Sequence, residues 1–485
     1  MKLTEPAQVY FSLYLNDIPG GTLFLPRDAF GRVALEETNS TLPEAGSAAL
    51  LPIPALASHK SRRLVLSHYQ YLFLLVALVN LSLFSYGLTG GHWWSEKGIH
   101  LIEIGNMVII NLTVAVLIRQ QYIINFLFRL VWHTPLHWPL SVRRQLAKVY
   151  HFGGLHSGCA LFSCLWLMVF SAAVYYHHCH ALPNVSLMLL TVTAMLAALL
   201  LTIVILALPA VRARYHNLFE HAHRYVGWLA LLLSWLQVTC FIRDCHGGQW
   251  SWQALIETPA FWALLTITAS IILPWLRLRK VAVQVERPSS HAAIVTFSLP
   301  RDPFPGSSFA ISRAPLDEWH AFANIPLGSG SGCRMLISRA GDWTGRFIDS
   351  PPDHVWFKGL PTPGVGSVGK IFHSVVYVAT GSGIGPLLPH LMAPGKPRRL
   401  IWSTRNPRLT YGDSFVDEII RLQPDVVIWD TDAHGKPDLL QLALQKVEES
   451  GAEAVICIAN RKLTDYVVGG CEARRVAAYG AIWDS

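Results

Sequence analysis

The chain has 485 residues, of which 52% are hydrophobic and only 14% are charged. This length allows two or three domains, and the composition is typical of a membrane protein. The formal net charge of +8 is compatible with nucleic-acid binding, but most of the excess basic residues lie beside apolar runs. Membrane topology explains them better, and no nucleic-acid partner is expected.

The apolar residues are unevenly distributed along the chain. They concentrate in residues 65–276, whereas residues 280–485 have the pattern of an ordinary soluble α/β sequence. Residues 1–66 are polar to mixed and start without a basic segment followed by an apolar one, so no cleavable signal peptide is expected. We therefore predict a cytosolic N-terminal segment of unknown role at 1–66, and the first membrane helix would act as the insertion signal.

Six apolar stretches within residues 67–279 approach the ~20 residues that are needed to cross a bilayer. They are Tyr69–Leu88, Leu101–Ile124, Val149–Tyr175, Val185–Leu208, Tyr225–Phe241 and Ala260–Leu276. Their flanks carry fourteen Lys and Arg residues on one side but only Lys97 and Arg243 on the other. This asymmetry predicts a six-span bundle with both termini in the cytosol, in a plasma or internal membrane. A soluble helical core, the alternative, would not sort its charges in this way.

Histidines stand near the cytosolic ends of the third and fifth stretches. Histidine inside a hydrocarbon core is costly, and two facing imidazoles can hold a haem iron from both sides. His156 and His223 lie deepest and are the predicted ligands. His151 and His216 are the reserve pair, because they fall at the headgroup level. A structural hydrogen bond is the simpler reading for any single one of these histidines.

The predicted non-cytosolic ends of the same two stretches carry a second polar cluster. Helix 3 ends in YYHHCH and helix 5 is followed by DCHGG. Cys179 and Cys245 could form a disulfide on an oxidising face, or His177, His178 and His246 could bind a metal. Unpaired surface groups are the third interpretation, and the sequence leaves all three open.

From Val281 onward the apolar pattern changes to short alternating runs separated by Gly and Pro, which predicts an antiparallel β-barrel over 280–368. Within it, PLDEWHAFANIP places Trp319, His320 and Phe322 where they could pack against a flat ring system. The segment AGDWTGRFID then offers backbone amides to a pyrophosphate. The residues concerned there are Gly341, Thr344 and Gly345.

Strand and helix patterns alternate over 369–485, which predicts a parallel nucleotide-binding sheet. Its first strand runs into a glycine-rich turn that lets the backbone approach a phosphate at a helix start. The turn residues are Thr380, Gly381, Gly383, Gly385 and Pro386. The second strand ends in Ser403, Arg405, Arg408 and Tyr411, which favours the 2′-phosphate of NADPH. A plain turn and a solvated basic loop are the simpler alternatives.

Together these motifs resemble the ferric reductase and NADPH oxidase superfamily, in particular a fungal branch of its membrane flavoproteins. VRRQLAKVYH is similar to the lead-in to the haem helix, EWHAFANIP to the flavin motif His-Pro-Phe-Ser/Thr, AGDWT to Gly-Gly-Phe-Thr, and GSGIGP to the nicotinamide-side glycine motif. The resemblance implies FAD as a cofactor and catalytic roles for His320 and Cys457. The family usually holds two haems, but Phe170, Leu236 and Gln237 stand where the second pair of histidines would be, so one b-type haem is expected.

The predicted fold is therefore an α-helical six-span transmembrane bundle followed by a ferredoxin-reductase-like module. The predicted function is the transfer of electrons from NADPH through FAD to a single haem and on to an unidentified small-molecule acceptor, either lipid-soluble or a secondary metabolite. A metalloreductase or a superoxide-producing oxidase is the alternative within this class. A catalytically degenerate membrane regulator that senses nucleotide or redox state is the alternative outside it. Membrane lipid is an expected partner, and protein partners are left open.

Overall fold

Long apolar helices make up the first half of the described chain. The computed structural model describes residues 67–481 apart from 96–97, 181, 183–184, 300–301 and 328–331, so the segment predicted at 1–66 lies outside the described residues. The helices are α1 His68–Thr89, α2 Leu101–Leu117, α3 Gln121–Trp132, α4 Leu140–Leu146, α5 Gly153–Cys179, α6 Leu187–Ala207, α7 Pro209–Arg214, α8 His216–Cys245, α9 Trp252–Glu257 and α10 Pro259–Ile272. A two-stranded ribbon, β1 Trp94–Ser95 and β2 Gly98–Ile99, lies between α1 and α2.

Five helical segments are long and apolar enough to cross a membrane, namely α1, α5, α6, α8 and the segment Pro259–Arg277. The predicted second span is broken, because α2 and α3 meet at an angle of 67° and count as a sixth span only if the bent pair is taken as one. The break has a local cause. The Gln120 side chain accepts a hydrogen bond from the Tyr122 amide at 2.6 Å and caps a new helix there. The six-span bundle is thus not confirmed.

The outer surface of the bundle is apolar, whereas its interior contains a polar cluster. Asn80 and Asn111 bond each other at 2.8 and 3.1 Å, and Trp166 donates to Asn80 at 2.9 Å. All three are buried. Large exposed apolar side chains on the helices include Leu75, Leu78, Leu81, Leu201, Leu232 and Trp262. This distribution is typical of helices that face lipid, where internal polar groups must satisfy each other.

Two four-stranded antiparallel sheets follow the bundle and form the predicted barrel. In chain order the strands are β3 Arg279–Ala282, β4 Gln284–Glu286, β5 Ala292–Phe297, β6 Ser307–Ser312, β7 His320–Ala323, β8 Ile325–Pro326, β9 Cys333–Ser338 and β10 His354–Pro363, with α11 Asp342–Asp349 before β10. The sheet orders are β3-β10-β6-β7 and β4-β5-β9-β8. Inward-facing residues such as Val295, Ile311 and Phe357 form one apolar core between the sheets.

A five-stranded parallel sheet completes the chain, in the order β13-β12-β11-β14-β15. Its strands are β11 Val375–Thr380, β12 Arg398–Thr404, β13 Val427–Asp430, β14 Ala454–Ile458 and β15 Ala477–Gly480. The helices are α12 Ile384–Met392, α13 Pro407–Tyr411, α14 Asp413–Leu422, α15 Thr431–His434, α16 Leu439–Ser450 and α17 Arg461–Ala473. The direction of strand order reverses between β11 and β14, where ligands bind at the carboxyl ends of such sheets. The predicted barrel and α/β module is confirmed.

Hydrogen bonds and one buried ion pair attach this module to the bundle. Arg143 of α4, only 3% exposed, holds Glu453 through two bonds of 2.7 and 2.9 Å and also donates to the Ile371 carbonyl. The hydrogen bond from Arg143 is the main reason why the pKa of Glu453 falls to about 2. Trp132 of α3 donates to the Ser367 carbonyl at 3.1 Å. The module and the helices therefore form one compact unit in the described residues.

Candidate functional site

A cavity of about 410 Å³ lies between the bundle and the module. Small residues form the module side of this cavity, namely Gly306, Ser307, Ser308, Ala321, Ala323, Gly364 and Gly366, together with Pro386 and Ile458. Aromatic and polar residues form the bundle side, namely Tyr69, Arg119, Phe128, Tyr150, His151 and Phe152. A flat wall of small residues opposite aromatic rings fits a planar ring system such as isoalloxazine, and the volume suits a ligand fragment of that size.

The predicted flavin motif contributes alternate residues to this cavity. Ala321 and Ala323 of β7 line it, whereas His320 and Phe322 point to the opposite face of the strand. There both rings pack against the buried Trp343, with ring centres 4.5 and 6.0 Å apart. The cofactor and catalytic roles predicted for His320 and Phe322 stay predictions. In the structure both side chains lie on the face of β7 that points away from the cavity, against Trp343.

Trp319 lies beside a half-buried lysine, Lys358, and does not line the cavity. Its indole nitrogen donates to the Pro315 carbonyl at 3.1 Å, and Lys358 Nζ lies 4.4 Å from its ring centre. Trp275 contacts the same ammonium from another side at 4.6 Å. Burial, with a smaller contribution from Arg224, lowers the pKa of Lys358 to about 8. The predicted contact of Trp319 with flavin also stays a prediction.

The segment predicted to bind pyrophosphate begins α11. The Thr344 hydroxyl accepts hydrogen bonds from the Ala340 and Gly341 amides at 2.9 and 3.0 Å, which shapes the turn before the helix. A Cβ on Gly345 would lie 3.0 Å from the Arg339 guanidinium, so the glycine permits close packing there. Gly341 has open space around it. This leaves a solvent-accessible helix start at Gly341, where the amides after Gly341 are the ones that could meet an anion, because those of Ala340 and Gly341 already donate to Thr344.

The glycine-rich turn between β11 and α12 has the predicted position at the carboxyl edge of the parallel sheet. Gly381 adopts a positive φ of +53°, which favours glycine, and its carbonyl accepts from the Trp402 indole at 2.9 Å. A Cβ on Gly383 would lie 2.3 Å from the Ile458 carbonyl oxygen, so only glycine fits. Thr380 ends β11, Gly385 packs on Leu336, and Pro386 reaches the cavity wall.

The predicted 2′-phosphate residues separate into three environments. Arg405 is exposed at the end of β12, whereas Arg408 is bound to Asp413 and Asp417 at 2.9 and 2.7 Å. Ser403 is buried within the strand. Tyr411 is buried between Trp402 and Phe415, and burial raises its pKa to about 12. Arg405 is therefore the residue best placed to meet a nucleotide phosphate.

Replacement of Arg405 by glutamine is expected to raise KM for NADPH about ten- to hundred-fold, because a charge-assisted hydrogen bond contributes about 1.5–3 kcal/mol. KM for NADH should not change. Steady-state kinetics with both nucleotides measure this, and Arg408→Gln serves as the matched control because its two carboxylate partners already occupy it. An equal change in KM for both nucleotides would contradict the assignment.

Cys457 lies in β14 on the face of the sheet opposite to the cavity. Its thiol is fully buried and belongs to the core formed with Val378 and Val467, while the next residue, Ile458, lines the cavity. Burial raises the pKa of Cys457 to about 12. The catalytic role that the resemblance implied stays a prediction, but a protonated thiol behind the sheet is poorly placed for it.

His156 and His223 approach each other between α5 and α8. Their ring centres are 6.2 Å apart at an interplanar angle of 68°. A metal ion that bonds one nitrogen of each ring at about 2 Å per bond separates two ring centres by roughly 6 Å. His156 Nδ1 lies 2.8 Å from the Ala115 carbonyl oxygen, which leaves Nε2 as the free nitrogen. His156 and His223 would therefore be the residues to hold a haem iron.

Arg119 connects this histidine pair with the cavity. It lies at the break between α2 and α3 and lines the cavity, and its charge acts on both His156 and His223. The reserve pair is not brought together in this way. His151 packs on Tyr150 and His68, at 4.2 and 5.8 Å, while His216 is exposed beside Glu220.

The cluster at the far end of α5 and α8 is dispersed in the structure. Cys179 and Cys245 are both free thiols. The imidazole of His177 bonds to the backbone of Ile99, and that of His246 lies 2.9 Å from the Ile242 carbonyl oxygen. Within the part of the chain that the structure describes, no three His, Cys, Asp or Glu side chains come close enough together to form a metal site.

Several site residues escaped the sequence interpretation. Gly306, Gly364 and Gly366 form the cavity wall, and the buried ring of His390 lies directly behind Gly306 and Gly366. A Cβ on either of these two glycines would lie within 2.6 Å of that ring. Gly306 also has a φ of +77°. The segment PTPGVGSVG offered a signal in its repeated glycines, but nothing in the sequence connects it with Gly306 or Arg119.

Residues 365–485 match a family model described as the C-terminal domain of adenylate-forming reductase 03009. Two proteins of Coprinopsis cinerea (strain Okayama-7), named adenylate-forming reductase 03009 and adenylate-forming reductase 06235, are 42% and 40% identical to the chain over 425 residues. Each alignment covers 87% of this chain and 41% of the relative. The chain thus spans less than half the length of the curated relatives that it matches.

Partial likenesses to solved structures accompany these matches. A ferredoxin NADP+ reductase from Neisseria gonorrhoeae with bound FAD and NADP has a TM-score of 0.34 at 14% identity, over 42% of this chain and 99% of that one. A flavohemoglobin from Malassezia yamatoensis with bound FAD and heme has a TM-score of 0.37 at 14% identity, over 71% and 99% of the two chains.

The matches correct one prediction. The family model and both relatives are named as adenylate-forming reductases, so the predicted assignment to the ferric reductase and NADPH oxidase superfamily, and to its fungal branch, was wrong. The motifs that suggested it are short, and GSGIGP belongs to a glycine-rich turn that many nucleotide-binding sheets use. The prediction of a reductase agrees with the names of both relatives.

Proposed function

We propose that the chain is a membrane-bound, NADPH-dependent oxidoreductase that holds FAD in the cavity and one b-type haem at His156 and His223, and that it delivers electrons to a small-molecule acceptor. The observation that carries this proposal is the position of the cavity, whose walls come from the barrel, from the carboxyl edge of the parallel sheet, and from the segments of the bundle around Arg119 and Tyr150–Gly153. When bound, FAD supplies hydride acceptance and haem supplies one-electron transfer.

The residues of this chain have distinct parts in that proposal. Ala321, Ala323 and Gly366 leave a flat wall for the ring system, and the turn at Gly381 offers its backbone to a nucleotide phosphate. Tyr150 and Phe152 line the cavity on the bundle side and would face the ring system there. Arg119 is placed to pair with anionic groups of a cofactor, because its guanidinium lies between the cavity and the histidines.

The membrane location is part of the proposal. The apolar helices and their exposed leucines support contact with lipid, and the basic residues on one side of the bundle support cytosolic termini. NADPH would then be bound from the cytosol.

The relatives suggest an acceptor class. Their name joins an adenylate-forming activity with a reductase, and this chain aligns with 41% of their length. We infer that this chain corresponds to an electron-supplying part, and that the compound reduced derives from an adenylate made elsewhere in such a protein. If the compound that is reduced is membrane-soluble, it could reach a haem near the cytosolic side of the bilayer.

The absorbance spectrum of the full chain, purified in a neutral detergent, tests the proposed function. Flavin bands together with a low-spin Soret band are expected, and anaerobic NADPH should bleach the flavin bands and shift the Soret band. Flavin without haem would restrict the function to NADPH oxidation by flavin. Nucleotide binding with neither flavin nor haem would instead favour a degenerate sensor.

A further inference from the structure

A second cavity, of about 230 Å³, lies behind the glycine wall of the first one, near the amino end of β11. It is lined by Pro305, Gly369, Lys370, Val375, Tyr377, His390, Ala393, Pro394, Lys396, Pro397 and Arg398. None of the predicted cofactor-binding motifs contributes to it. This volume is smaller than the ~300–1,000 Å³ typical of sites for drug-sized ligands, so it suits a compact group and excludes a whole nucleotide.

Three cationic side chains face this second cavity, and no carboxylate lines it. Lys396 Nζ donates to the Lys370 and Phe372 carbonyls at 2.6 and 2.8 Å, and Arg398 donates to the Ala393 carbonyl. Lys370 Nζ lies 3.7 Å from the ring centre of Trp132. Backbone oxygens and an aromatic ring therefore hold the cations in place without neutralising them.

The nearest acidic group is already committed to other partners. Glu453 acts electrostatically on Lys396, but its carboxylate is bound by Arg143 and by His373. Burial lowers the pKa of Lys396, and the neighbouring Arg398 lowers it further. Partial desolvation likewise lowers the pKa of Lys370, although much of its side chain is exposed. Because nearby cations repel each other in such a setting, an anion between them would be bound favourably.

His390 adds a buried polar group to the same cavity. Its side chain is 5% exposed, its ring stacks on Tyr377 with centres 6.0 Å apart, and its Nε2 has no hydrogen-bond partner. Burial, with the charges of Lys370 and Arg398, lowers its pKa to about 3. This nitrogen lies on the side of Gly306 and Gly366, since a Cβ on either glycine would approach it within 2.6 Å. The His390 ring therefore forms the partition between the two cavities, and the cations rather than Nε2 supply the charge of the second one.

We propose that this second cavity is a binding site for a phosphate-bearing anion, held by Lys370, Lys396 and Arg398 and backed by His390. Arginine and lysine are the side chains that proteins use for phosphate, and the site has three of them without a counter-ion. The phosphate could be free phosphate or diphosphate, or the headgroup of a membrane lipid, since Lys370 rests on the last residue of α3. Occupancy would also stiffen the glycine wall through His390.

Binding of diphosphate to the full chain in neutral detergent tests this proposal. We expect saturable binding by calorimetry and a concentration-dependent rise in the apparent melting temperature. The double variant Lys396→Gln/Arg398→Gln should weaken binding at least ten-fold, and Lys370→Gln, which alters an exposed side chain, should weaken it several-fold. A parallel arm replaces diphosphate by vesicles that contain an anionic phospholipid, and separates the two phosphate sources.

Two controls separate this site from other phosphate contacts. Arg399→Gln removes a charge from the adjacent position, where Arg399 pairs with Asp425 at 3.0 Å, and should leave binding intact. Arg405→Gln removes the proposed nucleotide contact and should also leave it intact. Unchanged affinity in both Lys370→Gln and the double variant, or equal losses in the controls, would overturn the proposal. Failure of the wild-type chain to bind either diphosphate or the vesicles would also overturn the proposal.

Discussion

Replacement of His223 by alanine is expected to remove the Soret band of the purified protein while its flavin content stays unchanged. His223 and His156 are the two imidazoles whose ring centres lie 6.2 Å apart, the separation that suits a shared metal. Without His223, only one of the two proposed histidine ligands would remain, and the described chain has no further histidine at that depth to replace it. Electron transfer beyond the flavin should fall to background. The rate at which an added cytochrome is reduced after addition of NADPH measures it.

His156→Ala is expected to give the same spectrum, because it removes the other proposed ligand. In the wild-type chain the Ala115 carbonyl orients that imidazole. His221→Ala is the matched control. It changes a histidine of the same helix, two residues away, whose ring packs on Tyr225 with ring centres 6.2 Å apart and has no contact with His156. Full haem content in His223→Ala would refute the ligand assignment. Loss of haem in His151→Ala with retention in His156→Ala would transfer the assignment to the reserve pair.

Replacement of Arg143 by alanine is expected to lower the free energy of unfolding by about 3–5 kcal/mol, because it leaves a partly buried carboxylate without its main partner. The pair joins α4 to the amino end of β14, so its loss should also loosen the module from the helices. Thermal unfolding in neutral detergent, followed by tryptophan fluorescence, measures the change. Arg399→Ala breaks an exposed pair with Asp425 and should cost about 1 kcal/mol or less.

The same ion pair predicts a pH dependence. The folded-state pKa of Glu453 is about 2, below its ordinary value of 4.5, so its contribution is present above pH 4.5 and is lost as the pH falls towards 2. Wild-type protein should therefore lose stability over that window, and Arg143→Ala should lose less of it. A melting series between pH 5 and pH 3 compares the two. Parallel curves would mean that Glu453 is not held by Arg143 in solution.

Most of the fold could be predicted from local sequence patterns. Apolar length predicted the helices, and the change from helical to alternating periodicity from Val281 onward predicted the barrel, whose first strand begins at Arg279. The exception is the second predicted span. Its apolar run continues past Leu117, but the helix is interrupted where the Gln120 side chain accepts a hydrogen bond from the Tyr122 amide, which hydropathy does not report. The adjacent α3 instead packs against the module through Trp132.

The candidate site was harder to predict, because its composition depends on register and on distant segments. On β7 the residues with chemical character, His320 and Phe322, face away from the cavity, and the plain Ala321 and Ala323 face into it. A shift of one residue in a strand exchanges the two faces, and no sequence motif fixes that choice. The same alternation places Ile458 rather than Cys457 at the cavity.

The docking of the module has a consequence for turnover. A carrier domain that swings between donor and acceptor must release its contacts in every cycle. Here each excursion would have to break the Arg143–Glu453 pair and the bond from Trp132. The module is therefore expected to stay docked on the helices during turnover, while only small-molecule ligands bind and dissociate. Raising the viscosity of the solvent should slow nucleotide arrival and departure but leave the internal electron-transfer step unaffected.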